Sequence, residues 1–258
     1  DIGFFDDIIK IISYLPKNRQ TLMFSATMAP KIRKLAAQIL HQPKEINIAI
    51  SKPAEGVLQA AYLVYDKQKS SLVTHLISQN PEYDSILIFC SKKRTTTELA
   101  RTLRRKKFNA EAISSDLEQS EREEVLNGFR SKRIRILVAT DVMSRGIDIK
   151  GINLVINYDV PGDAEDYVHR IGRTARADST GVALTLINED DMYKFSQIEQ
   201  LIERNVAKSP LPEHLGNGPE WKVAPVRKKK RKGNFNTNKK RKPQGKYRKK
   251  DQGQQRKN

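Results

Sequence analysis

IRILVATDVMSRGIDIKGINLVINYDVPGDAEDYVHRIGRTAR, residues 134–176, decides the fold of this chain. It opens on IRILVA (134–139), an apolar, β-branched run too short for a helix and suited to a strand buried on both faces of a sheet. A second such run, NLVINY (153–158), follows, and a helical pattern covers 164–176. The same alternation extends outward in both directions. Strands are expected at 60–65, 85–90, 110–114 and 182–187, with helices at 67–79, 95–107, 119–130 and 191–204. Strand–helix units repeated at this spacing predict an α/β fold built on a doubly wound parallel sheet. Functional loops in such sheets gather at the carboxyl ends of the strands.

The flanks read differently. DIGFFDDIIKIISYLP (1–16) is an amphipathic helical pattern with Ile8, Ile9, Ile12 and Leu15 on one stripe. QTLMF (20–24) suits a buried parallel strand, Pro30 the first turn of a helix running to about residue 40, and 44–50 a further strand. SKPAEG (51–56) has linker composition. The expected organisation is the end of one domain over 1–50, a linker over 51–59, a second domain over 60–206 and a disordered basic tail over 207–258. A chain that begins on a helix without an initiator Met reads as cut inside a domain.

Charge is very unevenly placed. Residues 222–258 hold 17 Lys and Arg against Asp251 alone, so they carry +16 of the net +18. Residues 1–221 are close to neutral, and the tail suits a phosphate backbone or an anionic surface. Cys90 is the only cysteine, which excludes an internal disulfide and a Cys-based zinc site. His41, His75, His169 and His214 lack metal-ligand spacing. No apolar run reaches the roughly 18–20 residues of a membrane span, and a cytoplasmic location is the expectation.

Several short stretches could carry chemistry. In YVHRIGRTAR, His169, Arg173 and Arg176 are spaced by four and three, so a continuous helix puts them on one face with Arg170 at its edge. Guanidinium groups gathered this way fit phosphate oxygens, although a solvated basic face is the plainer reading of such spacing alone. In ILVATDVMSRGID (136–148), the strand delivers Thr140 and Asp141 to its carboxyl end. Thr140 suits a phosphate, and Asp148 a ribose hydroxyl or a water; an ordinary capped βα loop reads the same way. Ser25 and Thr27 place two hydroxyls on one side of a strand end. Gln119 and Arg122 stand one turn apart at a helix start, and Ser91 opens a basic loop, SKKR, after the strand ILIFC.

Taken in order, these stretches resemble the motifs of the DEAD-box RNA helicases of superfamily 2. SAT (25–27) resembles motif III, ILIFC (86–90) motif IV, and QSER (119–122) the adjoining RNA-contact motif. TDVMSRGID (140–148) resembles motif V and HRIGRTAR (169–176) motif VI, with Ser144 and Ala175 where the family usually has Ala and Gly. The resemblance runs from residue 1 to about 205, and the stretch after HRIGRTAR, with the basic tail, is similar to the RhlE-like bacterial branch. It implies two RecA-like domains that close around ATP and RNA, of which this chain holds the end of the first and all of the second, the helicase C-terminal domain. The 258 residues contain neither a G-x-x-x-x-G-K-[ST] loop nor an Asp-Glu-Ala-Asp box.

The resemblance also implies roles. Arg173 and Arg176 would be arginine fingers at the γ-phosphate, and Asp148 and Gly146 would lie at the nucleotide. His169 and Arg170 would tie motif VI to Ser25, Thr27 and the acidic box, which holds Mg²⁺ in the intact enzyme. Thr140, Gln119, Arg122 and Ser91 would hold one RNA strand by its sugar–phosphate backbone without reading sequence. The chain alone is expected not to hydrolyse ATP. A non-enzymatic RNA-binding module is the alternative, but it leaves SAT and the fingers without a task. A DNA-unwinding relative and membrane attachment through the tail fit less well, the latter for want of an amphipathic anchor.

Overall fold

The computed structural model describes residues 4–25, 28, 30–46, 56–141, 151–174 and 181–223. Two helices come first, α1 (Phe5–Ser13) and α2 (Pro30–Ile39), with Leu35 of α2 buried. There follow β1 (Val57–Leu63), α3 (Asp66–Gln79), β2 (Ile86–Phe89), α4 (Lys93–Arg105), β3 (Ala110–Ile113) and α5 (Gln119–Arg130). The chain continues through β4 (Ile136–Ala139), β5 (Leu154–Asn157), α6 (Ala164–Ile171), β6 (Gly181–Ile187), α7 (Met192–Leu201) and β7 (Ala207–Ser209). The strands form one sheet in the order β3-β4-β2-β5-β6-β1-β7, and every pairing is parallel.

Alternation along the strands divides the core. Ile86, Ile88, Ile136, Val138, Leu154 and Ile156 face α3 and α4, meeting Leu72, Leu76, Leu99 and Leu103. Leu87, Phe89, Leu137, Ala139 and Val155 face the other way, where Leu126 and Phe129 of α5 cover them. Further along that second face, Ala61, Ala183 and Ile187 pack against Tyr167 and Ile171 of α6 and Phe195 and Ile198 of α7. Two helices on one face and three on the other make the doubly wound α/β sheet expected from the sequence. Among the described residues, no helix is long and apolar enough to cross a membrane.

Three expectations change. Residues 20–24 form no strand, and Leu22 and Phe24 are 69% and 90% exposed. An apolar run becomes a strand only where neighbours accept its ladder, and none of the described residues does so. The first strand of the sheet starts at Val57 rather than residue 60. Regular structure also continues past residue 206. The polar segment β7 pairs with β1 at the sheet edge, and residues 210–223 then cross the domain as a strap. The strand expected at 44–50, the linker at 51–55 and the tail from 224 fall wholly or partly outside the described residues.

The strap is pinned along its length. Gln68 donates through Nε2 to the carbonyls of Leu215 (2.7 Å) and Asn217 (3.2 Å), and His214 meets the His75 ring at 4.9 Å. Trp221 stands edge-on to Phe195 with Lys208 Nζ 4.5 Å above its ring. Gly218 runs so close to β1 that a Cβ there would sit 1.9 Å from the Leu63 carbonyl oxygen. Gly218→Ala should therefore lift the strap and lower stability by about 1–3 kcal/mol. Trp221, the single tryptophan, reports it: its emission should shift to the red before global unfolding. An unshifted spectrum would show that the strap absorbs the methyl group.

Candidate functional site

The carboxyl ends of β2, β4 and β5 lie side by side, because these strands are neighbours in parallel register. Ser91 follows β2, Thr140 and Asp141 follow β4, and Asp159 follows β5. The start of α5, with Gln119 exposed and Arg122 half-buried, leads on from the carboxyl end of β3. The structure thus brings Ser91, Thr140, Gln119 and Arg122 to the same edge, as the strand pattern implies. Gln119 donates to Glu123 Oε1 at 2.7 Å, which holds its amide along the outside of the helix.

Arg170 is the buried centre of this edge. Its side chain is 2% exposed, and it makes a two-pronged pair with Asp141, Nε to Oδ1 at 2.6 Å and Nη2 to Oδ2 at 2.7 Å. Nη1 donates to Asn157 Oδ1 (3.2 Å) and to the Asp159 carbonyl (2.8 Å), and the guanidinium stands 5.0 Å from the Phe89 ring centre. Asn157 in turn donates to Thr185 Oγ1 at 3.1 Å. A guanidinium with this many partners is compensated for its burial. It ties α6 to the loops after β4 and β5.

Asp159 is a second hub. Its carboxylate accepts from the Ser91 backbone N–H (2.8 Å) and from Lys69 Nζ (3.2 Å), while Lys69 also pairs with Asp66 at 3.0 Å. Burial alone would lower the Lys69 ammonium, but Asp159 and Asp66 outweigh it and hold its pKa above the ordinary value. These groups floor an open cleft of roughly 470 Å³ that also takes in Lys92, Asn188 and Lys194. Cys90 lies beneath it, and burial pushes its thiol far up, so it packs rather than reacts.

The helical reading of YVHRIGRTAR needs correction. α6 stops at Ile171, and Gly172 turns the chain where a Cβ would stand 3.0 Å from the Val168 carbonyl oxygen. Arg173 therefore lies beyond the helix and not on one face with His169. Arg170 is not at the edge of an exposed face but within the domain. Thr174 is buried next, its hydroxyl donating to the Ile152 carbonyl at 2.6 Å. Arg173 is thus displayed, half-buried, between two buried anchors, Arg170 and Thr174. His169 is half-buried, with Nδ1 4.0 Å from Asp166 Oδ1. Tyr167 fixes the other side of the helix, donating to Gln59 Oε1 at 2.9 Å.

Ser25 is exposed, and Thr27, Gly146, Asp148 and Arg176 lie outside the described residues. Sequence reasoning passed over Asp159, Asn157, Lys69 and Thr174. The polar pair Asn157 and Asp159 at the end of an apolar strand was the available signal; Lys69 offered none.

Residues 68–178 match the family described as the helicase conserved C-terminal domain. The ATP-dependent RNA helicase DBP2 of Eremothecium gossypii is 44% identical over 219 residues, which are 83% of this chain and 39% of that protein. The DEAD-box protein SrmB of E. coli, solved bound to the regulator of ribonuclease activity A, is 31% identical with a TM-score of 0.58, covering 63% of this chain and 96% of that one. Dbp5 of S. cerevisiae, solved bound to RNA and ADP BeF3, is 27% identical with a TM-score of 0.71, covering 80% and 55%. The chain spans less than half the length of the curated relatives it matches. On the parallel sheet, the order of its motifs and these relatives, the chain belongs to the DEAD-box helicase family and carries that family's conserved C-terminal domain.

Proposed function

We propose that the chain works as the RNA-gripping, ATP-responsive carboxyl-terminal half of an ATP-dependent RNA helicase of the RhlE-like bacterial branch, acting in the cytoplasm. The observation that carries this reading is the brace from Arg170 to Asp141 and Asp159. It joins the segment bearing Arg173 to the loops bearing Thr140 and Ser91, so a change at the nucleotide is felt at the RNA backbone. Arg173 and Arg176 serve the γ-phosphate and Asp148 the ribose end, with Gly146 also assigned to nucleotide binding. Thr140, Gln119, Arg122 and Ser91 hold the sugar–phosphate backbone, as suits a protein that acts on RNA regardless of sequence. His169, Ser25 and Thr27 couple the two domains, and an acidic box in the other one would hold Mg²⁺. The relatives named as ATP-dependent RNA helicases, and the Dbp5 complex with RNA and a nucleotide, support this assignment.

Neither a phosphate loop nor an acidic box occurs in the 258 residues. The purified chain should therefore show no RNA-stimulated ATPase above its own Arg173→Ala variant, while still binding RNA. Joined to an amino-terminal domain carrying both motifs, it should gain activity that Arg173→Ala removes. RNA-stimulated turnover by the chain alone would overturn the assignment of roles.

A further inference from the structure

α4 has the highest density of positive charge among the described residues. From Lys92 to Lys107 there are eight Lys and Arg and one acid, Glu98. Thr96, Leu99, Ala100 and Leu103 bury one side of the helix, which turns Arg94, Glu98, Arg101 and Arg105 outward on a single stripe. Three of the cations form ion pairs: Arg94 with Glu98, Lys93 with Asp116 and Arg104 with Glu111. Arg101, Arg105, Lys106 and Lys107 are exposed and form no ion pair among the described residues.

The placement of the stripe matters as much as its charge. α4 begins directly after Ser91 and Lys92, on the cleft at the carboxyl edge, and descends to the amino ends of β3 and β4. There Asn109 donates to the Arg133 carbonyl, which brings Lys106 and Lys107 to the same end of the sheet as Lys132 and Arg133. The helix spans about 20 Å. Cations near its last turn suit the negative end of the helix dipole, and this accounts for one or two of them. It does not account for a stripe that reaches back through Arg101 to the cleft.

We infer that the outer face of α4 is a second RNA-backbone site, engaging through Arg101, Arg105, Lys106 and Lys107 the strand that runs on past Ser91. The inference rests on the proposed RNA-binding role of the carboxyl edge. It makes binding depend on RNA length: a short oligonucleotide fills the edge, and a longer one also lies down α4. Arg101 and Arg105, one turn apart, take successive phosphates as charges, without base readout.

The test compares the full chain with a variant carrying Arg101→Ala, Arg105→Ala, Lys106→Ala and Lys107→Ala, using a short and a long oligo(U). The tail is the same in both proteins and cancels in the comparison. For long oligo(U), the variant should bind about tenfold or more weakly at low salt. Its slope of log K against log salt should fall by about 3, at roughly 0.7 for each phosphate that is no longer neutralised. Short oligo(U) should bind both proteins equally. Arg101→Lys with Arg105→Lys should keep both the affinity and the slope, which separates charge from packing. Equal weakening for short and long RNA would overturn the inference, as would an unchanged slope for long RNA; the latter would leave the stripe to an acidic protein partner. Failure of short oligo(U) to bind the wild-type chain would instead count against the carboxyl-edge reading.

Discussion

Arg170→Ala should destabilise the domain by about 3–5 kcal/mol, as breaking a buried ion pair does when it leaves one partner behind. The loss exceeds that of a surface pair because Arg170 is 2% exposed and Asp141 is the half-enclosed group left without its two-pronged donor. Asn157 and the Asp159 carbonyl lose a donor as well, and the Phe89 ring loses its cation. Urea unfolding of the 258-residue chain, followed by circular dichroism, measures the effect; a loss below about 1 kcal/mol would mean that the loops re-form without it. Arg170→Lys should recover only part, since one ammonium cannot span Asp141, Asn157 and the carbonyl together. The informative variant is the double change Arg170→Met with Asp141→Leu. Removing both charges leaves neither ion of the pair stranded and should restore much of the stability. If the brace serves to couple motifs, that stable double variant should still fail to transmit nucleotide state to RNA affinity in the two-domain enzyme.

How much of this was legible in the sequence follows from what each element depends on. β2, β4, β5 and β6 were readable because a parallel strand covered on both faces is a continuous apolar run. β7, with the sequence AKS, has no such signal: it is an edge strand held by one neighbour. QTLMF carries the signal and makes no strand, because apolar content does not supply a partner for the ladder. The strap reads as disorder on its Pro, Gly and Asn content. What orders it is tertiary, namely Gln68 and the approach of Gly218 to Leu63. The site divides in the same way. Spacing along HRIGRTAR points to a basic cluster but extends the helix through Gly172. Spacing cannot say that Arg170 and Thr174 turn inward, since the groups that receive them, Asp141, Asp159 and Ile152, stand elsewhere in the chain.

Arg173→Ala, made in an enzyme that joins this chain to a phosphate-loop domain, should lower kcat by about 10³–10⁵. Its fold stability and RNA affinity should change little. The contrast with Arg170, three residues earlier, rests on geometry. Arg170 is consumed inside the domain, whereas Arg173 is held half-exposed just past the Gly172 turn, its position fixed by the buried side chains of Arg170 and Thr174 on either side. In the proposed role its charge meets a phosphate that another domain brings, so its removal should be felt more in the transition state than in the ground state. The KM for ATP should accordingly move far less than kcat. Thr174→Val completes the test: it leaves the Arg173 charge in place but removes the hydroxyl that donates to Ile152, so it should cost part of kcat by loosening the turn. If Arg173→Ala instead lowered the unfolding midpoint as much as Arg170→Ala, both arginines would be structural, and the finger role would pass to Arg176 alone.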